Sequence, residues 1–132
     1  MKKTFSVQWK SSTQPRKQRK YRLNSPLHIK QTFMHAHLSK ELHHKYGPRA
    51  IPLKTGDKVR VMRGSFAKKE GKVERVHLKR ERVYVTGMER LKKDGSKLLV
   101  AFHPSQLLIT EAVMDANRKK KFEKKVLPIT KK

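Results

Sequence analysis

Between Gly56 and Val76 apolar and basic residues alternate along the chain. Val59 and Val61 are separated by Lys58, Arg60 and further basic neighbours, the period-two spacing of a strand with one buried face. The spacing predicts a first strand over Lys58–Arg63 and a second over Gly71–His77. Gly64 and Gly71 bracket the loop between them, where positive φ or close chain approach is expected. The step from Val73 to Val76 breaks the alternation, so a bulge is expected there. His77-Leu78-Lys79-Arg80 is a short link to a third strand, Arg82–Met88, with Val83 and Val85 on one face and Tyr84 on the other. Asp94-Gly95 between two strand-like runs is a strong hairpin signal and leads into a fourth strand, Lys97–Phe102. His103-Pro104-Ser105-Gln106 reads as a turn or a single 3₁₀ turn, and Leu107–Thr110 as a fifth strand. Short strands bent at glycines predict a mostly β fold, a small five-stranded barrel over residues 51–110. Its expected core is Val59, Val61, Val73, Val83, Val85, Leu99 or Val100, Leu107 and Ile109.

The flanks, residues 1–50 and 111–132, read as basic, partly helical extensions. Ser25 can cap, Pro26 suits a first helical position, and Gly47-Pro48 is a stop, which predicts one helix over about 26–46. Met34, Leu38, Leu42 and Tyr46 step by four along one side of it, while Ile29, Phe33 and Ala36 fall on another. Pro15 suits the first turn of a helix that opens the basic, tyrosine-containing segment Pro15–Arg22. Residues 1–14 read either as a disordered start or as an extended arm whose Trp9 docks on protein or stacks on a base. After residue 111, acidic Glu111 and Asp115 precede basic Arg118–Lys121, an order that suits the dipole of a short helix. The last ten residues are expected to be frayed or ordered by a partner.

Charge changes the picture. Lys and Arg number 35 against 10 Asp and Glu, a formal net charge of +25 on 132 residues. Residues 1–50 contribute 12 basic and 1 acidic residue, 51–110 contribute 15 and 6, and 111–132 contribute 8 and 3. Such a chain repels itself unless a polyanion neutralises it, which makes nucleic acid the first candidate partner and an anionic membrane surface the second. No apolar run is long enough to span a bilayer, and Met1–Lys10 has no apolar stretch of the kind a secretory leader needs. There is no cysteine, which excludes disulfides and thiolate-bound zinc and fits a reducing cytosol. The scattered acids show no nucleophile–base pair, so an enzyme is not expected. His37, Glu41 and His44 would share a face of the 26–46 helix and could hold a metal, but no second shell accompanies them. Histidines that contact nucleic acid are the preferred reading, and no metal or cofactor is expected.

Gly56-Asp57-x-Val59-x-Val61-x-x-Gly64 followed by Gly71-x-Val73 resembles the KOW motif of SH3-like barrels in ribosomal proteins and NusG- and Spt5-type elongation factors. Gln14–Lys20, Asn24-x-Pro26-Leu27-His28, Leu38–Leu42 with Lys45-Tyr46-Gly47, Val61–Gly64 and His103-Pro104-Ser105 extend the match. Together they resemble the family of large-subunit ribosomal protein twenty-four in its archaeal and eukaryotic form, over about Thr13 to Ile109. That family often carries a Lys-Gly pair near Lys69, where this chain reads Ala67-Lys68-Lys69-Glu70. The resemblance implies direct binding to large-subunit rRNA near its 5′ region, an early role in assembly, and a place in the cytoplasmic ribosome beside the peptide tunnel exit among other ribosomal proteins. No membrane or small-molecule partner is expected. The competing reading is an elongation-type KOW module that binds polymerase or nascent RNA. For RNA binding, Arg16, Lys17, Arg19, Lys20 and Arg22 are expected along one groove, with Lys68, Lys69 and Lys72 on phosphates. Arg60 and Arg63 are expected to point outward opposite the valines, and Phe66 either to meet a base or sugar or to pack in the core.

Overall fold

Valines at alternate positions do build the centre of the fold. In this computed structural model, which describes residues 5–123, the first predicted strand is β3 (Lys58–Val61), with Val59 and Val61 fully buried and Arg60 exposed. Along the chain come α1 (Pro15–Asn24), α2 (Leu27–Phe33), β1 (His35–Leu38), α3 (Lys40–Tyr46), β2 (Ala50–Pro52) and β3. They are followed by β4 (Glu70–His77), β5 (Arg82–Leu91), β6 (Lys97–Phe102), β7 (Leu107–Glu111) and α4 (Ala116–Glu123). A single 3₁₀ turn, Pro104–Gln106, stands where a turn was expected, and another, Leu78–Arg80, forms the short link between β4 and β5.

The fold is mostly β, but the expected five-stranded barrel is a seven-stranded mixed sheet in the order β2-β1-β7-β3-β4-β5-β6. The five expected strands are its run β7-β3-β4-β5-β6, antiparallel throughout. β1 adds to it parallel to β7, and β2 pairs antiparallel with β1. With β3 on one side and β1 on the other, β7 has no free edge for β6, so the sheet stays open, with β2 and β6 at its margins.

The single helix expected over 26–46 is also corrected. It is α2, a strand and α3. Met34-His35-Ala36-His37-Leu38 alternates in burial, with Met34, Ala36 and Leu38 in the core and both histidines exposed. That period-two run competes with the four-residue step that also passes through Met34 and Leu38, and pairing with β7 and β2 decides it. Ser39 caps α3, its Oγ accepting the Leu42 amide at 3.3 Å, and Gly47 closes it at φ +81 with its N–H donating to His43 O. Ser25 does not cap the following helix. Its hydroxyl donates to the Arg22 carbonyl at 2.7 Å and finishes α1.

The β4–β5 register slips between Val73 and Arg75, where the bulge was expected. A second slip, between Tyr84 and Glu89, surrounds Gly87 at φ +80 and turns Met88 into the core. Gly71 answers the close-approach reading: a Cβ there would lie 2.6 Å from the Thr86 carbonyl oxygen. The core takes in Val59, Val61, Val73, Val83, Val85, Leu107 and Ile109 as expected, and adds Met34, Ala36, Leu38, Ile51, Leu53, Met88 and Phe102. Of the Leu99/Val100 alternatives, Val100 packs against it, half-buried.

One ion pair locks the C-terminal helix to the sheet. Asp57, 0% exposed, holds Arg118, 4% exposed, with Nη1 to Oδ1 at 2.8 Å and Nη2 to Oδ2 at 2.9 Å. The same carboxylate accepts the backbone amides of Lys54 and Val113, both at 2.9 Å. Arg118 also donates to the carbonyls of Val113 and Pro52. The end of the chain expected to fray or to await a partner lies outside the described residues from position 124 onward.

Candidate nucleic-acid interface

Helix α1 carries five cations and no acid, and none of its residues is buried. Pro15 opens it as predicted, after an N-cap at Gln14 that makes no side-chain bond. The preceding arm folds back along it. Gln18 Nε2 donates to the carbonyls of Lys10 and Ser12, at 3.1 and 2.6 Å. Phe5 stacks at 4.9 Å on Tyr21, and Tyr21 meets Phe33 edge-on at 6.3 Å. The Lys17 ammonium lies 5.4 Å from the centre of the Trp9 ring. Arm and helix thus enclose a concavity of about 480 Å³ lined by Phe5, Trp9, Arg16, Lys17, Lys20 and Tyr21 among others.

The row of cations on α1 divides. Arg16, Lys17 and Lys20 line the concavity, and Arg19 is exposed. Arg22 turns to the body of the protein, where it pairs with Glu81, approaches His103 Nε2 at 3.4 Å and lies over the Phe33 ring.

The other expected residues gather on and between β3 and β4. Arg63, Lys68 and Lys69 are exposed on the connecting loop, and Lys72 is exposed on β4. Lys68 adopts φ +69, the left-handed region that glycine reaches without cost. Gly64 at φ +94 meets the positive-φ expectation at the loop's start. Phe66 packs edge-on against Phe102 with ring centres 6.0 Å apart, so the core-packing alternative describes its position, and Lys69 Nζ lies 5.4 Å from its ring centre. Arg60 faces outward but is held by Glu70, its cross-strand partner. Two consecutive residues at the sheet margin touch both regions: Phe102 packs on Phe66 of the loop, and His103 faces Arg22 of α1.

Acids neutralise cations elsewhere. Lys58 lies between Lys72 and Glu111 on neighbouring strands. Its bond to Glu111 at 2.8 Å raises the lysine's pKa above its usual value and lowers that of the glutamate. Asp115 is lowered by its bond to Lys54, and Asp94 by its bonds to Ser96. His103 is lowered by burial first and then by the charges of Arg22 and Arg82, which favours the neutral ring. By contrast, Arg16, Lys17, Arg19, Lys20, Arg63, Lys68, Lys69 and Lys72 take part in none of the ion pairs among the described residues.

The metal alternative loses its premise, because His37 stands on β1 while Glu41 and His44 stand on α3. Among the described residues, no cluster of His, Cys, Asp or Glu is arranged to hold a metal. No described helix is long and apolar enough to cross a membrane. Sequence reasoning missed the pairing of Phe5 with Tyr21 and the Arg75 guanidinium 4.8 Å from the Tyr84 ring. The i, i+4 spacing of Lys17 and Tyr21 was the one signal that a mixed basic and aromatic helix face existed.

Residues 12–125 match the family of ribosomal proteins described as L26 in eukaryotes and as L24 in archaea. The chain is 46% identical over 108 residues to the large ribosomal subunit protein uL24 of Methanosphaera stadtmanae, covering 82% of this chain and 92% of the relative. It is 46% identical over 110 residues to the uL24 protein of Methanothrix thermoacetophila, with 83% and 95% covered. To that of Korarchaeum cryptofilum it is 45% identical over 115 residues, with 86% and 88% covered.

Proposed function

The chain belongs to the archaeal and eukaryotic uL24 family of ribosomal proteins, and from that premise we propose that it holds large-subunit rRNA directly, as a structural and not a catalytic component. It is a ribosomal protein of the cytoplasm, not an enzyme. On our reading, the strands of residues 51–110, joined by β1, supply the platform, and the exposed cations of α1 and of the β3–β4 loop face solvent beside it. It binds near the 5′ region of the rRNA early in assembly and sits beside the tunnel exit among other ribosomal proteins.

The observation that carries RNA binding is the sorting of charge. Six acids pair with Arg22, Lys54, Lys58, Arg60, Lys97 and Arg118, while Arg16, Lys17, Arg19 and Lys20 of α1 and Arg63, Lys68 and Lys69 of the β3–β4 loop enter no ion pair among the described residues. Burial of cation-rich surface against phosphate releases counterions, and each contact adds roughly 0.7–0.9 to the log–log salt slope. Recognition is by shape, sugar edges and splayed bases, because the A-form major groove is too narrow to read. In this reading Arg16, Lys17, Arg19 and Lys20 form one phosphate-binding group and Arg63, Lys68, Lys69 and Lys72 another. Arg22 and Arg60 position the surface through their carboxylates, and Phe66 shapes the loop from beneath.

Replacing Arg16, Lys17, Arg19 and Lys20 together by glutamine lowers the salt slope of rRNA-fragment binding by about 3 in a filter-binding titration. A slope unchanged by the four substitutions overturns the assignment of α1.

A further inference from the structure

We propose that the concavity between the N-terminal arm and α1 takes a single unstacked nucleotide of an RNA strand, with the base against Trp9 and the flanking phosphates on Arg16 and Lys20. The inference rests on the RNA-binding reading above and adds to it a base-accepting site.

Three observations converge. The first is chemical: the space is walled by three aromatic rings, Phe5, Trp9 and Tyr21, and three cations, Arg16, Lys17 and Lys20, with no acid among its lining residues. A base offers a π face to any aromatic ring, and its phosphates require cations, so this pairing suits a nucleotide better than an apolar ligand or a bare anion. The second is geometric. Residues 16, 17, 20 and 21 lie on one face of α1, because they repeat at i, i+1, i+4 and i+5. The arm stands opposite, held by the two Gln18 bonds, and the space of about 480 Å³ falls within the usual range for small-molecule sites. The third is exposure. Trp9 is 51% exposed although Lys17 lies over its ring, so part of the indole is left open for stacking. Phe5 and Tyr21 are half-buried and stack on each other, forming a wall, not a free platform.

The molecule contains one tryptophan, so its fluorescence reports on this site alone. The full chain is titrated with a short oligouridylate, with an abasic oligomer of the same length, and with uridine monophosphate. The oligouridylate should quench Trp9 and bind about 5- to 150-fold more tightly than the abasic oligomer, with the mononucleotide far weaker than either. By anisotropy of a labelled strand, Trp9→Ala should lose about 5- to 150-fold for oligouridylate, the range expected of one base stack, and Trp9→Phe should recover much of it. The abasic oligomer should bind wild type and both variants equally.

If base-bearing and abasic oligomers bind alike with a steep salt dependence, the nucleotide site falls and the RNA-binding reading stands. If neither binds, both fall. Mononucleotide binding as tight as the oligomer would make this a free-nucleotide site and overturn the proposal as well.

Discussion

Asp57 shows how much one side chain can settle. It looks like a turn residue after Gly56, yet it is fully buried and accepts hydrogen bonds from two backbone amides and both Nη atoms of Arg118. Removing one partner of such a pair leaves an uncompensated buried charge, so Arg118→Met should cost about 3–5 kcal/mol in a urea titration. Replacing both partners by apolar residues should not restore stability, because the Lys54 and Val113 amides would be orphaned at about 1–3 kcal/mol each. A double variant as stable as wild type would remove this account. His103 sets a pH dependence of its own. Its ring stands beside Arg22 and bonds Ser105, and its folded pKa lies below the ordinary 6.5. The unfolded chain therefore binds the proton first, and the stability that His103 contributes is complete above pH 6.5 and is lost as pH falls through the lower folded value. Asp94, Glu111 and Asp115 are also depressed, but from ordinary values of 3.8, 4.5 and 3.8, so their losses begin at lower pH. Melting temperature should decline just below pH 6.5, and His103→Gln should flatten that part of the profile. A decline of the same size in the variant would show that another group is responsible.

At the scale of elements, the two glycines around the β3–β4 loop act for different reasons. Gly64 has open space around its Cα and needs only its φ of +94, so alanine there should cost about 1–2 kcal/mol. Gly71 has an ordinary φ, but a Cβ would meet the Thr86 backbone and Val85 at 2.6 and 2.7 Å. Because backbone oxygen cannot rotate away, alanine at 71 must push β4 from β5 and should be the more damaging substitution, by chemical denaturation of the two variants side by side. Equal losses would mean the strands give way freely. The same elements show what could be read in advance. Sequence spacing located β3 to β7, the β4 bulge and the Gly47 stop, since each is a local pattern of alternation or turn chemistry. It misread residues 34–38, where helical and strand periods coincide at Met34 and Leu38. It also assigned Ser25 to the wrong helix, because a serine can finish one helix as well as begin another.

For the whole molecule, a net charge of +25 opposes folding and favours association with a polyanion at once. Salt weakens self-repulsion and also weakens phosphate binding. The melting temperature of the free protein should therefore rise with added potassium chloride while its affinity for RNA falls. Six ion pairs among the described residues work against the first trend, but they are few beside the excess of cations. A melting temperature that drops steadily with salt would show that those pairs outweigh the repulsion. The candidate surface was partly legible at this scale: composition marked α1 and the loop as cationic, but could not say that Arg22 and Arg60 are neutralised while their neighbours are not.

What the sequence determines alone is what its near neighbours decide: the charge, the alternating valines, the turns at glycine and the helix that opens at Pro15. What only the tertiary structure decides are choices made by residues far along the chain. β7 draws residues 35–38 into the sheet and keeps it open, Glu81 turns Arg22 inward, and Asp57 captures Arg118 from 61 positions away. Hydrogen bonds and ion pairs of that span leave no periodic trace, because their strength depends on which groups meet and how far water is excluded, and chain spacing records neither.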